Sequence, residues 1–189
     1  MKKRRIVITG GPGTGKTVLV SALEREGYHC FHEVIRTMTS KVVGSHTLDL
    51  EKGNPIAFVE DSKAFNDQLI TARLEHYLEG EHVERTFLFY DRGMPDVLAY
   101  MNYFDQAYDQ NYHDLCTEHT YDEVLILPPW EAIYKQDNER MENFEQACAI
   151  HVQLSAMYRS LGYMPIEVPF GTVDERLNFV KRLISEAGA

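Results

Sequence analysis

Residues 5–17 read Arg5-Ile6-Val7-Ile8-Thr9-Gly10-Gly11-Pro12-Gly13-Thr14-Gly15-Lys16-Thr17. Ile6-Val7-Ile8 is a short apolar run of β-branched residues, the composition of a strand buried on both faces. Behind the glycines, Val18, Leu19, Ala22 and Leu23 fall on one helical face as far as Gly27, a usual residue just past a helix end. A strand, then G-x-x-x-x-G-K-T, then a helix make a phosphate loop. The chemistry needs this composition. Glycines let the backbone curl until several N–H groups face one phosphate, and the helix N-terminus adds partial positive charge. Gly11, Pro12, Gly13, Thr14, Gly15, Lys16, Thr17 and Val18 are therefore the expected nucleotide contacts. Lys16 is expected to reach the β and γ phosphates, and the Thr17 hydroxyl to ligate Mg²⁺.

Working outward, four more apolar runs read as strands, at 28–33, 86–90, 123–127 and 163–168. Stretches of helical period separate them: 16–26, 55–79 opening on Asn54-Pro55, 95–108, and 142–161 before Gly162. The last helix opens on the capping box Thr172-Val173-Asp174-Glu175. Strands alternating with helices predict an α/β fold with a parallel sheet covered on both faces, and ligands then gather beyond the C-terminal ends of the strands.

The residues that can carry chemistry are expected there. Phe87-Leu88-Phe89-Tyr90 delivers Asp91 at a strand end, where a carboxylate can link to the metal, and Arg92 follows as a planar cation for phosphate or carboxylate. The bland alternatives are that Asp91 caps the next helix and that Arg92 is a surface residue paired to a nearby acid. Glu33 and Arg36 follow the second strand, where they are placed to orient a substrate hydroxyl or accept its proton and to hold an anionic group; both also fit as solvated loop charges. Lys135 and Arg140 lie between the fourth strand and the long helix. They are the only bases among 12 acids in residues 96–145, in keeping with a basic lid over a transferred phosphoryl group or with a solvated helix start. Pro169, in Pro169-Phe170-Gly171-Thr172, lies where a base can rest. Tyr100, Tyr103, Phe104, Tyr108 and Tyr112 are expected in the core rather than in a pocket.

The chain has 189 residues, with 19 Lys+Arg against 29 Asp+Glu and a net charge of −10. Outside residues 96–145 the acids and bases balance, so the acid excess is local, and Lys16, Arg36, Arg92, Lys135 and Arg140, from four separate segments, are expected to converge on one positive pocket. This charge excludes general nucleic-acid binding, and no apolar run approaches a membrane span. Cys30, Cys116 and Cys148 are scattered and make no C-x-x-C pair, which suits a reduced cytoplasmic setting. No linker divides residues 1–189, so one nucleotide-binding domain is expected, with a substrate or insert region at about 36–80 and a lid-like segment at about 130–143.

Taken together, GGPGTGKT, Glu33-x-x-Arg36, FYDRGMPD at 89–96, Asp137-x-x-Arg140 and VPFGTVDER at 168–176 resemble the small AAA-type P-loop ATPase family. That family includes the ribosylnicotinamide-kinase domain of the bacterial NAD regulator and a eukaryotic GTP-binding trafficking protein. More distantly, the Asp-Arg pair is similar to that of nucleoside and nucleotide kinases. The resemblance implies a P-loop NTPase three-layer sandwich whose five-stranded parallel sheet has the order 2-3-1-4-5. By matching position it assigns Asp91 to the metal and nucleophile, Arg92 to phosphates, Glu33 to the base and Arg140 to the lid. A ring-forming motor is not expected, since no separate helical lid domain is found.

The expected function is an ATP-Mg²⁺ enzyme that moves a phosphoryl group to a small hydroxyl-bearing acceptor of nucleoside or riboside type, or that hydrolyses ATP. The alternative is a nucleotide-dependent switch acting through a protein partner. No N-K-x-D guanine motif occurs, which favours ATP and leaves GTP open.

Overall fold

The computed structural model describes residues 3–35, 62–133 and 143–186. Its elements in chain order are β1 (Arg4–Gly10), α1 (Lys16–Arg25), β2 (His29–Phe31), α2 (Ser62–Glu79), β3 (Phe87–Asp91), α3 (Met94–Tyr103), α4 (Gln110–Glu118), β4 (Glu123–Leu127), a 3-10 turn (Glu131–Ile133), α5 (Phe144–Ser160), β5 (Ile166–Glu167) and α6 (Val173–Glu186). The five strands are parallel and lie in the order β2-β3-β1-β4-β5.

β1 is central because its side chains suit both faces. Ile6, Val7 and Ile8 are wholly buried. The two-residue period of the strand sends Ile6 and Ile8 to one side, against Leu19 and Leu23 of α1 and Val180 and Ile184 of α6. Val7 points to the other side, where Leu69 of α2, Leu98 of α3 and Leu154 and Tyr158 of α5 form the second core. Two apolar layers of helices thus enclose the sheet, the expected three-layer α/β arrangement.

Register then aims the strand ends. Ile8 pairs with Asp91 and Gly10 with Leu127, so β1 runs into its glycine loop next to the carboxylate that ends β3.

The helix ends follow local chemistry. Gly27 and Gly162 take left-handed backbone, with φ of 88° and 87°, where the chain leaves α1 and α5. Thr172 and Glu175 bond reciprocally as a capping box at the start of α6.

Three expectations are corrected. The helix expected over 95–108 ends at Tyr103, because Asp105 adopts left-handed backbone with φ 52°. Gln106 N–H then closes onto the Met101 carbonyl at 2.8 Å and Asp105 N–H onto Asn102 at 3.2 Å, the pattern that usually accompanies glycine at this position. A separate helix, α4, follows, which the sequence pattern did not separate. The second and fifth strands are shorter than expected, at 29–31 and 166–167. Both lie at sheet edges, where ladder bonds form on one side alone. The proposed start at Asn54-Pro55 lies outside the described residues.

Candidate functional site

Gly13 and Gly15 both hold positive φ, 74° and 83°, a conformation β-carbons resist, and they curl the loop into the start of α1. The loop is braced from within and from behind. Thr14 Oγ1 donates to the Gly11 carbonyl at 3.0 Å, and Arg176 of α6 donates to the Thr14 carbonyl at 2.8 Å.

Lys16 is nearly buried, and its Nζ stands 3.5 Å from Asp91 Oδ1. Burial first and then the Arg92 charge hold the lysine below its ordinary pKa, against the opposing pull of Asp91 and Glu33. Asp91 is 5% exposed, and its Oδ1 has no hydrogen-bond donor among the described residues. The Lys16 ammonium compensates its charge at long range and leaves room for a closer ligand at that oxygen. Asp91 does not cap α3. That task falls to Asp96, whose Oδ2 accepts Gly93 N–H at 3.0 Å.

A second charged cluster adjoins the first. Glu33 Oε2 lies 2.6 Å from Arg92 Nε, and Glu33 Oε1 lies 3.2 Å from Arg73 Nη2. Burial pushes the Glu33 carboxyl up, but Arg73, Arg92 and Lys16 together outweigh it and lower its pKa to about 2. Arg92 also reaches Asp96 Oδ1 at 3.0 Å and the Tyr100 hydroxyl at 3.2 Å, and its guanidinium lies over the Tyr100 ring. Neither Glu33 nor Arg92 is thus a solvated surface charge.

The structure therefore gathers Lys16, Glu33, Asp91 and Arg92, which the sequence singled out, into one centre. Arg73 and Asp96 complete it, and sequence reasoning gave neither a role. Asp96 had a signal in FYDRGMPD. Arg73 had one as an arginine on the apolar stripe Asn66, Leu69, Ile70, Arg73 and Tyr77, which implies a buried ionic partner. Tyr100 joins the core as expected and adds a polar contact. Gly93, in the same FYDRGMPD stretch, is required by close approach: a β-carbon there lies 2.8 Å from the Tyr158 hydroxyl and 3.1 Å from Val7.

Thr17 and Val18 lie exposed in the first turn of α1. Pro169 lies in the loop after β5. Beside it Phe170 packs on Trp130 at 5.3 Å between ring centres, and Arg176 lies over the Trp130 ring at 5.0 Å. Arg36, Lys135 and Arg140 fall outside the described residues. Among the described residues no group of three His, Cys, Asp or Glu side chains is arranged for a metal, and no helix is long and apolar enough to cross a membrane.

The sequence model of the family described as an AAA domain matches residues 5–176. The chain belongs to this AAA-domain family. No curated protein matches it by sequence. The fold is similar to that of deoxyadenosine kinase from M. mycoides with bound dATP, at 14% identity and TM-score 0.64 over 96% of this chain and 99% of that one. It is also similar to thymidylate kinase from Candida albicans, at 15% identity and TM-score 0.66 over 99% and 93%. NadR protein in complex with NR matches at 14% identity and TM-score 0.73 over 97% of this chain, which spans half of the NadR chain. At such identities the likeness establishes the fold, that of P-loop kinases.

Proposed function

We propose that this AAA-domain protein binds ATP with Mg²⁺ and transfers the phosphoryl group to a small hydroxyl-bearing acceptor of nucleoside or riboside type. One observation carries this reading. Next to the Lys16–Asp91 pair stands a second buried centre, Glu33 held by Arg73 and Arg92, which nucleotide binding alone does not need.

The glycine loop from Gly11 to Gly15 holds the phosphates, and Lys16 neutralises charge on the transferred group. Thr17 and Asp91, whose Oδ1 is paired to Lys16 at 3.5 Å but accepts no hydrogen bond among the described residues, would hold Mg²⁺; two protein oxygens suit a cation that keeps several waters and phosphate ligands. When bound, the ion draws charge from the phosphate oxygens. Pro169, which precedes Phe170 whose ring packs on Trp130, offers an apolar rest for the base.

Glu33 stays ionised, and both its oxygens are committed to arginines. Its part is to orient Arg92 and the acceptor hydroxyl. A loose phosphoryl transition state needs positioning more than a strong base, so this suffices. α2 contributes Arg73 to the acceptor side of this centre.

The test incubates the protein with Mg²⁺, γ-labelled ATP and a panel of nucleosides, ribosides and nucleotides. Label is expected in one acceptor class. ATP loss that never tracks acceptor labelling sinks the reading and favours a hydrolytic switch.

A further inference from the structure

We propose that Asp96 is a positioning residue that fixes the Arg92 guanidinium against Glu33, and that Thr9 and Tyr158 fix Asp96 in turn. A carboxylate in the first turn of a helix is common, and as a cap it needs one N–H and leaves its other oxygen in water. Asp96 is 0% exposed and both of its oxygens are doubly engaged. Oδ1 accepts from the Thr9 hydroxyl and from Arg92 Nη1 at 3.0 Å. Oδ2 accepts from Gly93 N–H at 3.0 Å and from the Tyr158 hydroxyl at 2.6 Å.

These donors tie α3 to the end of β1 and to α5, the two elements that flank the loop after β3. Such a buried carboxylate cannot move without stranding several polar groups.

What it holds is a strained residue. Arg92 has φ 75°, left-handed backbone that a residue with a β-carbon resists and that persists where the surroundings over-determine it. The guanidinium is fixed on three sides: Nε to Glu33 at 2.6 Å, Nη1 to Asp96 at 3.0 Å and Nη2 to the Tyr100 hydroxyl at 3.2 Å. A planar fork with all three nitrogens committed has one orientation. Asp96 supplies the anchor tied to the sheet, whereas Tyr100 belongs to the same helix, one turn further on.

The test has two arms, of which the kinetic one rests on the phosphoryl-transfer reading and the spectroscopic one does not. In ¹⁵N-labelled protein the Arg92 Nε–H signal is assigned by its loss in Arg92→Lys. It is expected to shift or broaden in Asp96→Asn, Tyr158→Phe and Thr9→Val, while ATP-Mg²⁺ affinity stays within about threefold of wild type. With a phosphorylated acceptor in hand, kcat in Asp96→Asn is expected to fall by more than about tenfold at unchanged KM for ATP.

Circular dichroism establishes folding. If Asp96→Asn does not fold, the two hydroxyl variants decide. An Arg92 signal unmoved in every folded variant overturns the proposal, as does an ATP affinity that falls as far as kcat, the mark of a merely structural role. A signal that moves although no protein phosphorylates any acceptor supports the positioning of Arg92 and sinks the kinase reading.

Discussion

Glu33 shows how strongly neighbours decide what a side chain can do. Buried alone, a carboxyl takes up a proton; between two guanidiniums it gives one up far below the ordinary range. Its folded value of about 2 lies under the ordinary 4.5, so it contributes stability that is complete above pH 4.5 and is lost as the pH falls toward 2. The span corresponds to about 3 kcal/mol. Glu33→Gln, which removes the carboxylate from between Arg73 and Arg92, is expected to be less stable than wild type near neutrality, and the gap should narrow as the pH falls from about 4.5 toward about 2. Urea titrations across that range check it, and a constant gap counts against the ion-paired Glu33. Lys16 makes the complementary case. Lys16→Ala removes a charge-assisted contact to phosphate, so ATP affinity by calorimetry should drop about tenfold to a hundredfold. Unchanged affinity would mean that the loop is not the nucleotide site. Spacing at a strand end and a glycine loop marked Lys16, Glu33, Asp91 and Arg92 as candidates but left Glu33 and Arg92 open as solvated charges, and the resemblance supplied their roles. Their pairing was not legible, since Arg73 lies 40 residues from Glu33 and the contact depends on how α2 docks.

Elements with a glycine stop were legible from the sequence; the one with an aspartate stop was not. Gly27 and Gly162 mark the ends of α1 and α5 because glycine enters left-handed backbone at no steric cost. Asp105 enters the same region at the end of α3 and ends the helix just as firmly, but aspartate is too common on helix surfaces to signal it. This gives a prediction at the scale of the element. Asp105→Gly keeps both closing bonds to Met101 and Asn102 and relieves the φ of 52°, so it should leave the structure intact and raise stability by about 0.5–1 kcal/mol in urea. A loss of stability would show that the Asp105 side chain, rather than its backbone, holds the α3–α4 turn. The short β2 and β5 were overcalled for a related reason: apolar pattern reports burial, whereas strand length at a sheet edge is set by how far a partner's ladder extends.

For the whole molecule, the order of the sheet is the one the family resemblance implied, and the placing of its two cores follows from β1, whose three buried residues face opposite layers. Of the cations expected to make a positive pocket, Arg36, Lys135 and Arg140 lie outside the described residues. Among the described residues the central cluster holds Lys16, Arg73 and Arg92 against Glu33, Asp91 and Asp96, so its formal charges cancel. A balanced, buried cluster of this kind is costly to desolvate and is stabilised when a ligand adds contacts the protein does not supply, such as a hydrogen bond or cation at Asp91 Oδ1. Ligands that bind the folded state alone raise its stability by RT ln(1 + [L]/Kd), about 2.7 kcal/mol at a hundredfold excess over Kd. Because Asp91 asks for a cation and the glycine loop for phosphates, ATP with Mg²⁺ should raise the melting temperature of the whole chain by several degrees. ATP with excess EDTA should raise it less, and adenosine alone least. Thermal unfolding under these three conditions separates the contributions. Equal shifts for ATP with and without Mg²⁺ would remove Asp91 from the metal, and a larger shift for adenosine than for ATP would move the nucleotide away from the glycine loop altogether.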